Sequence, residues 1–340
     1  MIFWKKYSEN FNKEIDIDIL VGYNMIVKLN DSGEMMDNEE FGLKIRTLRE
    51  EKGITREDFC GDETELSVRQ LARIESGENL PTLGKVAYIA EVLGVSIGNL
   101  ADAENFELPL RYKELKYQIL RSPTYLDEVR LNIREAQFDE VFTDYYEELP
   151  EEERLIVDCM QASLDVALSK NFHFGVGILN DYFEQVKRKK HLQENDLIIL
   201  DLYFVCLVIS NFDTSIYDSN TFDELIENLL DQEQYGDIEN LFLVNKVLTK
   251  SFSGSVQIGK YERLQAIANT CRRIMTNTGD FQKMPILNLM EWKYYLYSQN
   301  DSSSAEACFE NALKFSKIIA DEYLEENLIS EWERDKEMHG

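Results

Sequence analysis

Histidine and proline are scarce in this chain, three and five among 340 residues. Few imidazoles leave little room for nucleophile–base triads or imidazole-ligated metals. His173, His191 and His339 have no partner at metal-ligand spacing, and no cysteine pair supplies one. A phosphate-cradling glycine loop is also missing, because GVG at Gly175 to Gly177 lacks the flanking strand, Lys and Ser/Thr. No enzymatic activity, cofactor or metal is therefore expected. The lack of proline, with apolar positions recurring every three to four residues, predicts an all-α fold. Cys60, Cys159, Cys206, Cys271 and Cys308 lie far apart and several sit in apolar runs, which suits buried reduced thiols and a cytoplasmic location. No apolar run approaches the roughly 18 residues needed to span a bilayer, and no secretory signal pattern is read. Basic residues are few as well: 36 against 64 acidic ones give a net charge of −28. That balance disfavours a membrane surface or a long nucleic-acid track as the main partner.

What is present is 44% apolar and 11% aromatic, enough for two cores. Residues 1–35 stand apart: Ile15 to Ile19 alternate apolar and acidic with the period of a strand. They read as an extra hairpin or an arm, or as sequence upstream of a natural start at Met35 or Met36, and both readings stay open. The expected organisation is that extension over 1–35, a DNA-binding module over 36–102, a linker over 103–109 and a helical-repeat domain over 110–340.

From Glu39 the pattern is helical. Phe41, Ile45 and Leu48 share a face, and Gly53 stops the helix after Lys52. Thr55 caps a short second helix that runs through Cys60. Ser67 caps a third, with Val68, Leu71 and Ile74 inward and Gly77 at its end. A fourth helix after Pro81 is expected to bury Leu83, Val86, Ile89, Ala90 and Leu93, and Ser96 caps a short fifth. FGLKIRTLREEKGIT, RIESGENLP and IAEVLGVS together resemble a phage-repressor-like helix-turn-helix, although the turn GDETEL is one residue longer than usual and lacks the glycine before the capping Ser67. In such a module the third helix enters the major groove. With its apolar residues inward, Ser67, Arg69, Gln70 and Arg73 face out, where Arg can read guanine and Gln adenine. Arg56 is expected to hold a phosphate. The alternative is that Arg69 and Arg73 only decorate a solvated face. The resemblance assigns Arg49 and Glu75 to a structural ion pair.

After ENFELPLRY come helical hairpins to the end of the chain, read at Leu110 to Leu120, Leu126 to Tyr146, Pro150 to Ser169, Val176 to Lys190, Glu194 to Ser210, Thr221 to Asp231, Ile238 to Ser251, Ile258 to Asn277, Lys283 to Ser298 and from Ser303. Pairs of this size are the signature of tetratricopeptide-like repeats, most clearly where Trp292, Tyr295 and Leu296 precede Ala305, Phe309, Ala312 and Leu313. Stacked hairpins suit an extended peptide. Arg130 and Arg134, four apart on one helix face, are candidates for its carboxylate. Thr124, Asn195 and Asn245 are candidates for its backbone, and Phe204, Leu241 and Phe242 for apolar walls. The plainer readings are a solvated face for the arginines, turns or caps for the asparagines and core for the rest. KRKK from Lys187 to Lys190 ends a helix, where cations are favoured anyway.

CGDETELSVRQLARIESGENLPTL, SPTYLDEV, LPEEE and FEQVKRKKHLQENDLIILDLYF resemble the ComR-like branch of the streptococcal Rgg regulators, within the peptide-pheromone receptors that join a helix-turn-helix to tetratricopeptide-like repeats. The resemblance runs from Met36 to about Glu333. It implies a transcription activator of competence genes, with a short secreted pheromone, double-stranded DNA carrying a palindromic promoter site, a second copy of the chain when peptide is bound, and RNA polymerase as partners. It also implies that the repeats sequester the DNA module until peptide arrives. Glu151 is the candidate lock on Arg69, against a simple solubilising loop at EELPEEE. The competing functions are a repressor whose repeats bind a protein, and a repeat scaffold with a vestigial DNA module.

Overall fold

The computed structural model describes residues 38–100, 108–235, 238 and 240–339. The expected 1–35 extension and most of the linker lie outside them. By backbone contacts the described residues form two units. One holds those up to Cys60 and from Val68 to Leu100; the other holds Gly61–Ser67 and everything from Leu108 onward. No strand occurs among the described residues.

Among its described residues the first unit has five helices: α1 Asn38–Glu51, α2 Arg56–Cys60, α3 Val68–Glu75, α4 Leu83–Leu93 and α5 Ile97–Leu100. Thr55 caps α2, its hydroxyl accepting from the Asp58 amide at 3.0 Å, and Ser96 does the same for the Asn99 amide at 3.3 Å. Gly77, at φ 76°, ends the α3 region; a Cβ there would lie 2.8 Å from the Glu39 Cα. Phe41, Ile45, Leu71, Ile74, Val86, Ile89 and Leu93 form the core. Three expectations shift. Leu48 and Val68 are only half-buried, and Leu83 is 39% exposed, because it follows the cap Thr82 directly and faces out from the first turn of α4.

The second unit runs α6 Leu110–Arg121, α7 Glu128–Asp144, α8 Glu151–Ser169, α9 His173–Arg188, α10 Glu194–Ile209, α11 Ser219–Tyr235, α12 Leu241–Gln257, α13 Leu264–Thr278, α14 Met284–Tyr294, α15 Ser302–Ile318 and α16 Glu322–His339. Successive helices pack on one another, as stacked hairpins do, apart from α7–α8 and α10–α11, which scarcely meet, and α10 also packs on α8 and α12. α10 is apolar almost all round, so it can only sit at the centre of the layer. Ends moved by a few residues, α13 losing its expected first turn, and the last expected segment is two helices, α15 and α16. Past α14 lies a π turn, Tyr295–Gln299, that periodicity did not reveal.

At the C-terminal end Trp292, Leu296, Ala305, Ala312, Leu324, Leu328 and Trp332 close a second core. Its buried Asp335 accepts from Trp292 Nε1 at 2.7 Å, Lys293 Nζ at 2.8 Å and the Tyr297 hydroxyl at 2.7 Å. The carboxylate is fully paired, which is the condition for burying it.

Candidate functional site

Two places are candidates for the chemistry, one in each unit. In the first, α3 presents Arg69 exposed and Arg73 half-exposed on one stripe, with Ser67 just before it. Arg73 Nε lies 3.8 Å from the Glu78 carboxylate. Gln70 corrects the expectation: it is 7% exposed, because the inward stripe is Gln70, Leu71, Ile74 and Glu75 rather than Val68, Leu71 and Ile74. Beneath the helix, Glu75 accepts from Arg49 Nε at 2.6 Å and Nη2 at 3.0 Å, while Arg49 Nη1 donates to the Ile54 carbonyl at 2.7 Å. Arg56 Nε donates to the same Glu75 carboxylate at 2.8 Å. Arg56 is thus part of the scaffold that ties α3 to α1 and α2, and only its outer edge can meet a phosphate. A Cβ on Gly42 would collide with the Ile74 carbonyl, so the helices cross at backbone distance there.

In the second unit a cavity of about 290 Å³ opens among the α6–α7 loop, α8, α10, α12 and Lys283. Its walls include Leu120, Met160, Leu164, Thr124 and Tyr125. An adjoining recess shares Arg121, Lys246 and Lys283 and adds Phe242, Asn245 and Asp280. The notable feature is its charge. Arg121, Arg134, Lys246, Lys250 and Lys283 line the two spaces, against Asp201 and Asp280. Asp280 pairs with Arg121 at 2.9 Å, and Asp201 serves both Lys250 at 3.1 Å and Lys246 at 3.4 Å. Among the described residues no carboxylate pairs with Lys283 or with Arg134. Arg134 instead donates to the Ser122 carbonyl at 2.6 Å and to Gln137 at 3.1 Å.

Titration follows from this arrangement. Burial, aided by Lys246 and Lys250, pushes Lys283 down to about 8; Asp201 and Cys271 act the other way. Lys250 is lowered by burial, only partly offset by Asp201. Burial alone takes Arg134 to about 10. Asp201 is held low: burial opposes its charge, but the lysines together outweigh it. Polar satisfaction is also incomplete here. Four buried side-chain polar atoms have no partner among the described residues, and three are at this place: Arg121 Nε, Asp201 Oδ1 and Asn245 Oδ1. A native fold leaves few such atoms, so three of them in one place call for an explanation.

Of the residues expected to hold peptide, Thr124 and Arg134 line the cavity and Asn245 the recess. Arg130 does not join Arg134. It pairs with Asp321 at 2.7 Å, drawn away by the carboxylate ahead of α16. Asn195 is also elsewhere, its amide donating to the Glu152 carbonyl at 3.1 Å, the structural role open to an asparagine near a helix start. Phe204 and Leu241 are core, while Phe242 stacks under the Arg121 guanidinium at 4.1 Å. The cavity's other cations, Arg121, Lys246, Lys250 and Lys283, were missed. The one signal was Asp201, a lone acid within the apolar run of α10, and its partners Lys246 and Lys250 stand one helical turn apart.

Glu151, Glu152 and Glu153 are not a loop; they open α8 and are buried. Glu151 accepts from the Tyr182 hydroxyl at 3.4 Å, and Glu153 from the Tyr112 hydroxyl at 2.7 Å and Lys116 at 2.9 Å. KRKK behaves as a helix end, with Lys189 on Asp196 at 3.0 Å. Among the described residues no three His, Cys, Asp or Glu side chains converge as metal ligands, and no helix is long and apolar enough to cross a membrane.

Comparison with known proteins agrees with both halves. A family model described as ComR tetratricopeptide matches residues 109–332, and one described as helix-turn-helix domain matches residues 40–103. The crystal structure of ComR from Streptococcus suis is similar at 37% identity and a TM-score of 0.74, covering 90% of this chain and 98% of that one. ComR from S. thermophilus in complex with DNA and its signalling peptide ComS is 29% identical, covers 87% of this chain and 99% of that one, and gives a TM-score of 0.63. ComR from Streptococcus vestibularis with its cognate signaling peptide XIP is 30% identical, covering 88% and 99%, with a TM-score of 0.60. With two-thirds of its length matched by the repeat model and the helix-turn-helix ahead of it, the chain belongs to the ComR family of regulators.

Proposed function

We propose that this chain is a cytoplasmic, peptide-responsive transcription regulator that activates competence genes. The observation that carries the reading is the cationic cavity in so acidic a chain, ringed by unpartnered donors and acceptors. A peptide's C-terminal end supplies what they lack: a carboxylate for the cations, an N–H for Asp201 and Asn245, and a carbonyl for Arg121. Arg134 and Thr124 hold that end with the lysines, and Asn245 meets its backbone. The relatives solved with DNA and signalling peptide support the same pair of partners.

Arg69 and Arg73 read bases from α3, Ser67 and the outer edge of Arg56 contact phosphate, and Gln70 supports the helix from its buried side. Two copies bind a palindromic promoter site with half-sites roughly 34 Å apart and engage RNA polymerase there. Before peptide binds, the repeats withhold the reader helix through an ion pair of Glu151 with Arg69. A Glu151→Lys variant then binds operator without peptide; a variant as dependent on peptide as the parent removes the lock from the scheme.

Fluorescence anisotropy of promoter DNA, with and without synthetic peptides encoded beside the gene, tests the whole. Peptide-dependent binding is expected. Constitutive binding would indicate a repressor whose repeats take a protein partner, and no binding a scaffold with a vestigial DNA module.

A further inference from the structure

The cavity holds more positive charge than one peptide carboxylate can match. With Arg121 neutralised by Asp280 and Asp201 able to offset one of Lys246 and Lys250, the second of that pair, Lys283 and Arg134 remain uncompensated. Unmatched cations in a partly dehydrated space are costly, and a fold keeps them where a ligand of opposite charge repays the cost. A terminal carboxylate would still leave two. The space, about 290 Å³, sits at the small end of ligand cavities, so it takes the end of a peptide and not its length. Any further anion must then belong to the last two residues. The carboxylates flanking the cations cannot fill this need, since the single charge of each is already set against a cation.

Resting on the peptide reading above, we propose that this cavity selects a peptide carrying two negative charges at its C-terminal end, the free carboxylate and a Glu or Asp side chain in one of the last two positions. Lys246 and Lys250, a turn apart on α12, face one anion across Asp201. Lys283 and Arg134, from α14's N-terminal boundary and from α7, are available to the other.

The test uses the full chain and mixtures of octapeptides randomised in the first six positions, ending in Glu-Leu, Gln-Leu, Leu-Glu or Leu-Gln. Each mixture is made as free acid and as C-terminal amide, and competes against a fluorescein-labelled Glu-Leu mixture in anisotropy. Free acids with Glu are expected to compete about 10- to 100-fold better than their Gln counterparts, the range for one charge-assisted interaction. Amidation should cost a similar factor independently. Equal competition by Glu and Gln free acids, with amides weaker, overturns the two-charge proposal and leaves the peptide site standing. Free acids no better than amides overturn the site itself. Lys283→Met should shrink the Glu-over-Gln ratio towards one while keeping the free-acid preference, and Lys283→Arg should restore it. Variants are first matched to the parent by circular dichroism and melting. A ratio unchanged in Lys283→Met and in Arg134→Gln alike also counts against the proposal.

Discussion

The two units bury charge in opposite ways. Under the reader helix, one carboxylate, Glu75, takes two guanidinium groups at 2.6 and 2.8 Å, with the rest of Arg49 on a carbonyl. In the repeat cavity five cations face two carboxylates and three polar atoms are left without partners. A satisfied network fixes geometry and has nothing to offer a ligand; an unsatisfied one stores the affinity that a ligand releases. On the function proposed above, the difference places DNA contact on the surface arginines of the first unit, above a closed scaffold, and peptide binding inside the open network of the second.

The largest effect should come from opening the closed network. Glu75→Gln leaves the buried Arg49 with only the longer, more exposed pairing to Glu50 at 3.6 Å, and about 3 kcal/mol of the unit's stability should go with it. Thermal melts of the full chain would show an early transition, and operator binding would be lost at the same temperature. A Glu75→Gln chain that melts like the parent would mean the triad carries little. Next is Gly42→Ala, whose Cβ meets the Ile74 carbonyl. A loss of roughly 1–3 kcal/mol in denaturant unfolding is expected, with weakened operator binding because α3 is pushed out of place.

On the reader surface, Arg69→Ala should weaken promoter binding by about 1–3 kcal/mol and relax discrimination at one base position. Arg56→Ala should instead show mainly as lost stability. Equal loss on specific and random DNA by Arg69→Ala would reduce it to a phosphate contact.

The smallest effect sharpens the open side by pH. Lys283 holds its proton only to about pH 8 in the fold but to about 10.4 in the unfolded chain. Between those values the unfolded state binds more protons, so stability of the peptide-free protein should rise with pH there, on the order of 1–2 kcal/mol after screening by solvent. Below 8 the penalty is fully present. Peptide affinity should run the other way, full below pH 8 and falling above it as the ammonium facing Lys246, Lys250, Asp201 and Cys271 is lost. Urea melts and peptide titrations at pH 7 and 9.5 check both signs, and Lys283→Met should flatten them.

Much of the fold was legible because helices are local. Thr55 and Ser96 cap where their residue type said they would, Gly77 turns where φ must be positive, and the apolar stripes from α6 to α15 mark real helices. The two faces of α3 were legible except at Val68, which is half-buried, and Gln70, which is buried. The peptide candidates were legible only in part. Thr124 and Arg134 reached the cavity, but Arg130 and Arg134 share a helix face and still parted, since Asp321 lies 191 residues away in sequence.

The sequence by itself determined the helices, their order, the helix-turn-helix and the kinship, because each depends on neighbours three or four residues apart or on an uninterrupted string. Only the tertiary structure decided which charges are spent and which are free. Arg49 and Glu75 are 26 residues apart and Asp201 and Lys250 are 49 apart. Whether a buried charge finds a partner is settled by packing across such distances, so the same residue types became a closed scaffold in one unit and an open, cation-lined cavity in the other.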